Sequence, residues 1–359
     1  MILAYNLALL ALDLALVAVW RRRRHAGLWL TGLALAGGAM LALAVLAMAL
    51  QPDDPYFGPR FMLFGCLAWG IFLHGPLLLG ASAFLHWREL RRASLVAAAL
   101  ALGLVGIAVD AFWIEPRALE VTHLELESEK LEAPLRLAVV ADIQTDRTGD
   151  YEREALRAVA VQEPDLVLFA GDYFQVEEPR YREEARALNR ILHEVGLAPR
   201  FGIHAVRGNV DRDGWETIFD GLDATFYPPQ GSQVVGGIRV TGLSLADSFD
   251  PLLVVPRVAE FHVVLGHSPD FALGDVKADL LLAGHTHGGQ VRLPWIGPPL
   301  TLSRIPRAWA AGRTELSSGA TLVVSRGVGL ERGHAPRMRF NCRPEIVVID
   351  LVPAPPRKP

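Results

Sequence analysis

Four long apolar runs crowd the first 113 residues of this 359-residue chain, at 2–20, 26–50, 61–85 and 93–113. About 20 helical residues cross a hydrocarbon core, so each run is long enough to span a membrane. A single run could be a buried core helix. Four in succession, separated by short polar loops, predict an all-α transmembrane bundle over residues 1–113. The first run does not read as a secretory leader, because Arg21, Arg22, Arg23 and Arg24 follow the apolar stretch instead of preceding it. Those arginines lie between the first two runs, and Arg88, Arg91 and Arg92 between the last two. The loop with Asp53 and Asp54 carries only Arg60, and the segment after the fourth run opens with Arg117 alone. Basic loops stay cytoplasmic, so this bias predicts that everything after Trp113 lies outside the cytoplasmic membrane.

Asp13, His74 and Asp110 are ionisable residues inside the runs, and such groups in a membrane are candidates for function. Gly75-Pro76 predicts a kink in the third helix. The split at Trp113 also explains the composition. The whole chain is 51% hydrophobic with net charge −4, which divides into +3 for residues 1–113 and −7 for the rest. Such a composition excludes a disordered or collagen-like chain. An acidic second half without a basic stripe argues against nucleic acid as a partner. Cys66 and Cys342 fall in different halves, so there is no disulfide framework.

After a linker and leading strand at 114–133, short apolar runs alternate with amphipathic stretches. The runs at 135–141, 166–170, 203–206, 261–265 and 280–283 read as strands, and 151–162 and 180–195 as helices. Later runs at 238–245, 321–325 and 345–351 add strands without obvious helices between them, which predicts an α/β domain over 134–352 with a more antiparallel C-terminal portion. The Pro-rich, basic tail 353–359 is expected to be disordered. Five runs end in metal-competent side chains: Asp142, Gly171-Asp172, Gly208-Asn209, Gly266-His267 and Gly284-His285-Thr286-His287. Ligands bind at the carboxyl ends of strands in α/β sheets, and four of these residues follow a glycine that lets the backbone turn sharply. Carboxylate and amide oxygens mixed with imidazoles suit Mn²⁺, Fe or Zn²⁺ better than a thiolate site would.

In this order the motifs resemble the calcineurin-like metallophosphoesterase superfamily. The stretch GHTHGGQVRLP at 284–294, and Ser325-Arg326-Gly327-Val328-Gly329 with Arg343-Pro344-Glu345, resemble its membrane-associated bacterial branch. The resemblance implies a two-sheet β-sandwich flanked by helices and a site for two divalent metal ions. Carried over, Asp142 and His287 hold the first ion, Asp172 bridges both, and Asn209, His267 and His285 hold the second. Two such ions clamp phosphoryl oxygens and activate a bridging water for in-line attack on phosphorus.

The chain departs from the family pattern twice. The first motif is usually Asp-x-His and here reads Asp142-Ile143-Gln144; Gln144 can offer a carbonyl oxygen, which favours Mn²⁺ or Mg²⁺ over tightly held Fe or Zn²⁺. The third is usually Gly-Asn-His and here reads Gly208-Asn209-Val210-Asp211, so the usual proton donor to the leaving group is missing. Either the leaving group has a low pKa, as in a phosphoanhydride, or Asp146, Asp211 or His204 donates instead. Arg207, Arg304, Arg307 and Arg326 are candidate phosphate ligands. The apolar segment 294–311 is a candidate lip for acyl chains. These readings converge on a membrane-anchored hydrolase of a phospholipid or lipid-linked phosphate. A UDP-2,3-diacylglucosamine-type pyrophosphate hydrolase of opposite topology, or a catalytically inactive binding module, are the alternatives.

Overall fold

A computed structural model describes residues 1–22, 26–50 and 59–354. Arg23, Arg24, Asp53 and Asp54 of the orientation argument, and residues 355–359 of the expected tail, lie outside the described residues. The chain divides into two compact units.

The first unit comprises Met1–Ile114 and the segment Arg332–Arg337. Its helices are α1 (Ile2–Arg22), α2 (Ala26–Ala49), α3 (Pro59–Trp69), α4 (Gly75–His86) and α5 (Arg91–Val109). Among the described residues, four stretches are long and apolar enough to cross a membrane: Ile2–Arg22, Thr31–Ala49, Phe61–His86 and Arg91–Arg117. The third joins α3 to α4 through a π-helical turn, Gly70–His74. Pro76 has no N–H to offer the Phe72 carbonyl, and a widened turn ahead of it absorbs that loss. A π turn thus lies just ahead of Gly75-Pro76, where the sequence predicts a kink. Asp13 finds its partner across 61 residues: His74 Nδ1 lies 2.6 Å from Asp13 Oδ2, and His74 Nε2 lies 3.1 Å from Asn6 Oδ1. Trp87 and Trp113 are exposed near helix ends, where amphipathic rings sit at a membrane interface.

The second unit comprises Glu115–Glu331 and Met338–Pro359. Its strands are β1 (Glu120–Ser128), β2 (Leu135–Val140), β3 (Leu166–Phe169), β4 (Ile203–Ala205), β5 (Ala224–Phe226), β6 (Gly231–Val235), β7 (Ile238–Gly242), β8 (Val254–Val255), β9 (Phe261–Leu265), β10 (Asp275–Val276), β11 (Leu280–Ala283), β12 (Gly312–Glu315), β13 (Thr321–Val324) and β14 (Glu345–Pro353). One six-stranded sheet has the order β1-β14-β2-β3-β4-β5, a second the order β12-β13-β11-β9-β7-β6, and β8 and β10 pair separately. Leu137, Val139 and Leu168 of the first sheet meet Val263, Leu282 and Val323 of the second in one dry layer. This is the two-sheet sandwich that the resemblance implied. The second sheet is more parallel than expected. β7, β9, β11 and β13 all run parallel, and only the edge strands β6 and β12 reverse. Tight connections at 236–237 and 316–320 permit hairpins only at these edges, whereas the central strands are joined by longer crossovers.

Helices α6 (Asp150–Ala160) and α7 (Arg180–Glu194) cover the outer face of the first sheet. Each buries one stripe, Ala155, Leu156 and Val159 on α6 and Tyr181, Ala185, Leu188 and Ile191 on α7, at the spacing that puts residues on one helical face. Because β2, β3 and β4 are parallel, as are β9 and β11, each sheet delivers its metal-competent residues to the carboxyl edge of its strands.

Candidate metal centre

Backbone bonds tie the strand ends together. The Asp142 amide donates to the Gly171 carbonyl at 3.0 Å, Gln144 to Asp172 at 2.8 Å, and Gly284 to His267 at 2.9 Å. The site has strained geometry. Asp142, Gln144, Asp172, His285 and His287 all have left-handed backbones, with φ of 48°, 34°, 56°, 67° and 48°. L-residues adopt this region at a cost of order 1 kcal/mol or more, and such strain gathers where function fixes a side chain. Two glycines permit the close packing. A Cβ on Gly208 would lie 2.0 Å from Asp172 Oδ1, and one on Gly284 would lie 2.8 Å from Asp142 Oδ1.

Asp172, His267 and His285 converge, with ligand atoms all within 4.8 Å of one another. His267 is fixed by its Nδ1–H, which donates to the Ala170 carbonyl at 2.8 Å. That leaves Nε2 facing Asn209 Oδ1 at 2.9 Å and Asp172 Oδ2 at 3.3 Å. Three acceptor atoms cannot share this space unless a proton or a cation sits among them. Burial works against a charged His267, yet Asp172, together with Asp142, holds its pKa up at about 9. Burial would also raise Asp172, but His267 pulls it below the ordinary carboxylate value. His285 Nε2–H donates to the Leu302 carbonyl at 3.1 Å, and burial beside His267 lowers its pKa to about 4, so Nδ1 keeps a lone pair.

Asp142 and His287 flank this cluster. Asp142 Oδ1 accepts from the His285 amide at 2.9 Å, whereas Asp142 Oδ2 and His287 Nδ1 are buried and have no hydrogen-bond partner among the described residues. Burial, with Asp172 nearby, raises Asp142 to about 7, and burial pushes His287 far below its usual value. A carboxylate oxygen and a neutral imidazole nitrogen, buried and unpaired, fit cation ligands. Gln144 is placed beside them: its Oε1 accepts from His287 Nε2–H, and its Nε2 donates to Gln175 Oε1 at 2.9 Å. Gln175 in turn donates to Glu331 Oε1 at 2.8 Å.

The candidate proton donors are dispersed. Asp211 accepts from three backbone amides, Tyr173 at 2.7 Å, Gly208 at 2.7 Å and Asp172 at 2.8 Å, and so clamps the turns that carry Asp172 and Asn209. Burial, reinforced by Asp172, raises its pKa to about 7, and the Gly208 and Tyr173 amides oppose that rise. His204 is buried on the other face of β4, 2.6 Å from the Tyr227 hydroxyl, and burial lowers it to about 4. The Asp146 carbonyl accepts from Arg180. Val210 contributes its amide, which donates to Asp172 Oδ1 at 3.0 Å.

Of the candidate phosphate ligands, Arg207 bonds the Asp211 carbonyl at 2.8 Å and Asp213 at 3.0 Å, and lines a cavity of about 400 Å³ with Ser244 and Glu216. Arg326 is held by Glu120 at 2.8 Å and Glu345 at 2.9 Å. Arg304 and Arg307 are exposed on the loop whose Leu302 carbonyl meets His285. Ser303 and the Arg304 amide anchor that loop to Asp270.

Two contributors escaped the sequence reading. Phe249 sets its ring 4.9 Å from that of His285. Arg339, fully buried, donates to the carbonyls of Arg326 (2.8 Å), Gly327 (3.1 Å), Gly329 (2.6 Å) and Cys342 (3.0 Å). The Gly329 amide donates to the Asp142 carbonyl at 2.7 Å, so Arg339 fixes the loop that backs Asp142. No local pattern distinguishes Arg339 from its neighbours Arg332, Arg337 and Arg343 for such a role.

Residues 135–289 match the calcineurin-like phosphoesterase family. The chain is 30% identical over 269 residues to the uncharacterised metallophosphoesterase YkuE of Bacillus subtilis, covering 67% of this chain and 87% of that one. It is 29% identical over 244 residues to the phosphodiesterase YaeI of Escherichia coli, covering 61% and 83%. It is 24% identical over 307 residues to the UDP-2,3-diacylglucosamine pyrophosphatase LpxG of Chlamydia trachomatis, covering 66% and 90%. With its strand-end carboxylates and imidazoles in that family's order, the chain belongs to the calcineurin-like phosphoesterases, a family of metal-dependent phosphoester hydrolases.

Proposed function

We propose that this chain is a membrane-tethered phosphoesterase that hydrolyses a phospholipid or lipid-linked phosphate, with a preference for phosphoanhydrides. The observation that carries the reading is the convergence of Asp172, His267 and His285 in a chain that also has four membrane-length helices. Asp172, Asn209, His267 and His285 would hold one divalent ion, and Asp142, His287 and Asp172 a second, with Mn²⁺ favoured by the oxygen-rich set. Such ions, when bound, neutralise phosphoryl charge and activate water.

The remaining work falls to the chain's own groups. The Ala170 carbonyl fixes which nitrogen of His267 faces the site, and the Asp211 clamp sets the turns of Asp172 and Asn209. Exposed Arg304 and Arg307 supply guanidinium groups for a substrate phosphate. Leu302 (39% exposed) and Trp295 and Ile296 (103% and 66%) give the same loop an apolar edge suited to acyl chains. Position 210 holds no proton donor, and of the three substitutes Asp211 and His204 are engaged elsewhere, leaving only Asp146 as a candidate, which favours leaving groups that depart without protonation. General-acid help is worth about 10²–10⁴-fold on poor leaving groups, so pyrophosphates are expected to outrun alkyl diesters.

Full-length protein in detergent with Mn²⁺ and an aryl phosphodiester tests the reading. Metal-dependent turnover lost in Asp172→Ala supports it; turnover equal in the variant, or absent from both, overturns it in favour of a binding module. The likeness to LpxG favours a second reading, pyrophosphate hydrolysis on a nucleotide-sugar lipid at the cytoplasmic face. The charge bias of the loops favours an outside location instead. A topology reporter fused to the C-terminus separates the two readings.

A further inference from the structure

The helical unit contains a cavity of about 410 Å³ that the hydrolase site does not use. Trp69, Phe72 and Leu73 wall it on one side, Phe112 on another, and the segment around His334 and Arg337 closes its end. Gly65 makes that closure possible, since a Cβ there would lie 2.4 Å from the His334 carbonyl. The rings of Phe72 and Phe112 meet edge to face at 5.7 Å and brace the wall.

Three observations identify the occupant. The volume lies within the roughly 300–1,000 Å³ of pockets that hold small ligands. Trp69 and Leu73 line the cavity yet are 47% and 40% exposed on a helix long and apolar enough to cross a membrane, so in a bilayer this wall would face hydrocarbon. Ile2 near the start of the first span and Phe112 near the end of the fourth both line it, and four spans return the chain to the side where it began. The cavity therefore opens at headgroup depth and reaches the middle of the third span at Leu73, with apolar rings on its walls and a guanidinium and an imidazole at one end. A bilayer lipid, apolar along its chain and anionic at its phosphate, matches this arrangement.

We propose that the cavity binds one acyl chain of a membrane phospholipid, with the lipid phosphate directed toward His334 and Arg337. The assignment rests on the membrane-embedded part of the reading above and is independent of hydrolysis. The segment that closes the cavity is also continuous in sequence with Glu331, which bonds Gln175, and with Arg339, which backs Asp142. Lipid bound here would therefore touch a segment flanked on both sides by residues that support the metal site.

Full-length protein is reconstituted in nanodiscs containing phosphatidylglycerol with a diazirine on its acyl chain, irradiated, and mapped by peptide mass spectrometry. Adducts are expected at Phe72, Ala108 and Phe112, which line the cavity without being exposed, and also at Phe84 and Leu102, which are 83% and 73% exposed and serve as outward controls. Ala68→Phe, which fills the cavity, is expected to lower the first set about tenfold while leaving the controls unchanged. Leu73→Trp does the same from a position that tolerates bulk, should Ala68→Phe fail to fold. Labelled controls with an unlabelled cavity, or cavity adducts that survive in both variants, overturn the proposal and leave the membrane reading intact. Unlabelled controls overturn both, because the helices then do not lie in lipid. Aryl phosphodiester turnover, measured on the same preparations, reports separately on the hydrolase.

Discussion

Asp211 was a candidate proton donor by position, yet the structure sets it as a clamp, and Asp211→Asn separates the two roles. The carboxylate receives three amide N–H groups at 2.7–2.8 Å, two of them on the same oxygen. Asparagine keeps one acceptor oxygen. If that oxygen retains the Gly208 and Asp172 amides, the new NH₂ faces the Tyr173 N–H, a donor against a donor. One charge-assisted bond is then lost outright and two become neutral, at roughly 1.5–3 kcal/mol for each bond to a charged group. The expected destabilisation is about 3 kcal/mol, and Asp172, which begins the clamped turn, loses its fixed position. Residues that orient metal ligands typically cost about 10–100-fold in affinity when replaced. Mn²⁺ titration of the full-length protein by calorimetry, beside a thermal melt, should show both losses together. A proton donor would behave differently: turnover on alkyl esters would fall about 10²–10⁴-fold with Mn²⁺ affinity intact. That second pattern, or no change in affinity at all, would refute the clamp.

Gln144→His places an imidazole where the glutamine now accepts from His287, and is expected to shift bound metal from Mn²⁺ toward Zn²⁺ or Fe; metal analysis that finds no change in preference counts against a role for Gln144 in selectivity. His204 is held neutral by burial, with a folded pKa of about 4 against about 6.5 when unfolded. A depressed histidine pKa means that the unfolded chain binds more protons between those values, so stability is full above pH 6.5 and falls toward pH 4, by about 3 kcal/mol at the limit. His204→Gln should flatten the dependence of the melting temperature on pH between 7 and 4.5, and an unchanged slope would argue that other groups set it. Arg339→Met strands four carbonyls, three of them buried, at roughly 1–3 kcal/mol for each left unsatisfied, and should weaken Mn²⁺ binding through Asp142; a variant that melts and binds Mn²⁺ normally would refute this role of the guanidinium.

The legible part of this chain is local chemistry at the ends of apolar runs. Asp142, Asp172, Asn209, His267, His285 and His287 each stand directly after a buried strand, and in α/β sheets that position already implies a shared edge. The membrane-length helices are legible for a similar reason, because length and hydropathy are properties of each segment alone. What stayed hidden depends on partners far apart in the chain. Asp13 and His74 were both visible as polar residues, but only packing brings them to 2.6 Å. Arg339 lies 197 residues beyond Asp142 and reaches it only through the loop at 326–329. The short strands β5 and β6 are half-exposed, so no apolar run announced them.

The departures at positions 144 and 210 have a common physical consequence. A histidine at 144 would bind a cation through nitrogen, and one at 210 would lend a proton. In this chain position 144 instead ties His287 to Gln175, and the backbone at 210 supports Asp172. Both positions thus serve to hold other residues still rather than to exchange protons. A centre built this way gains little on esters whose leaving group must be protonated, and loses little on anhydrides, where the departing phosphate is already a stable anion. The exposed apolar residues of the loop at 293–302 fit the lipid-linked substrate proposed above.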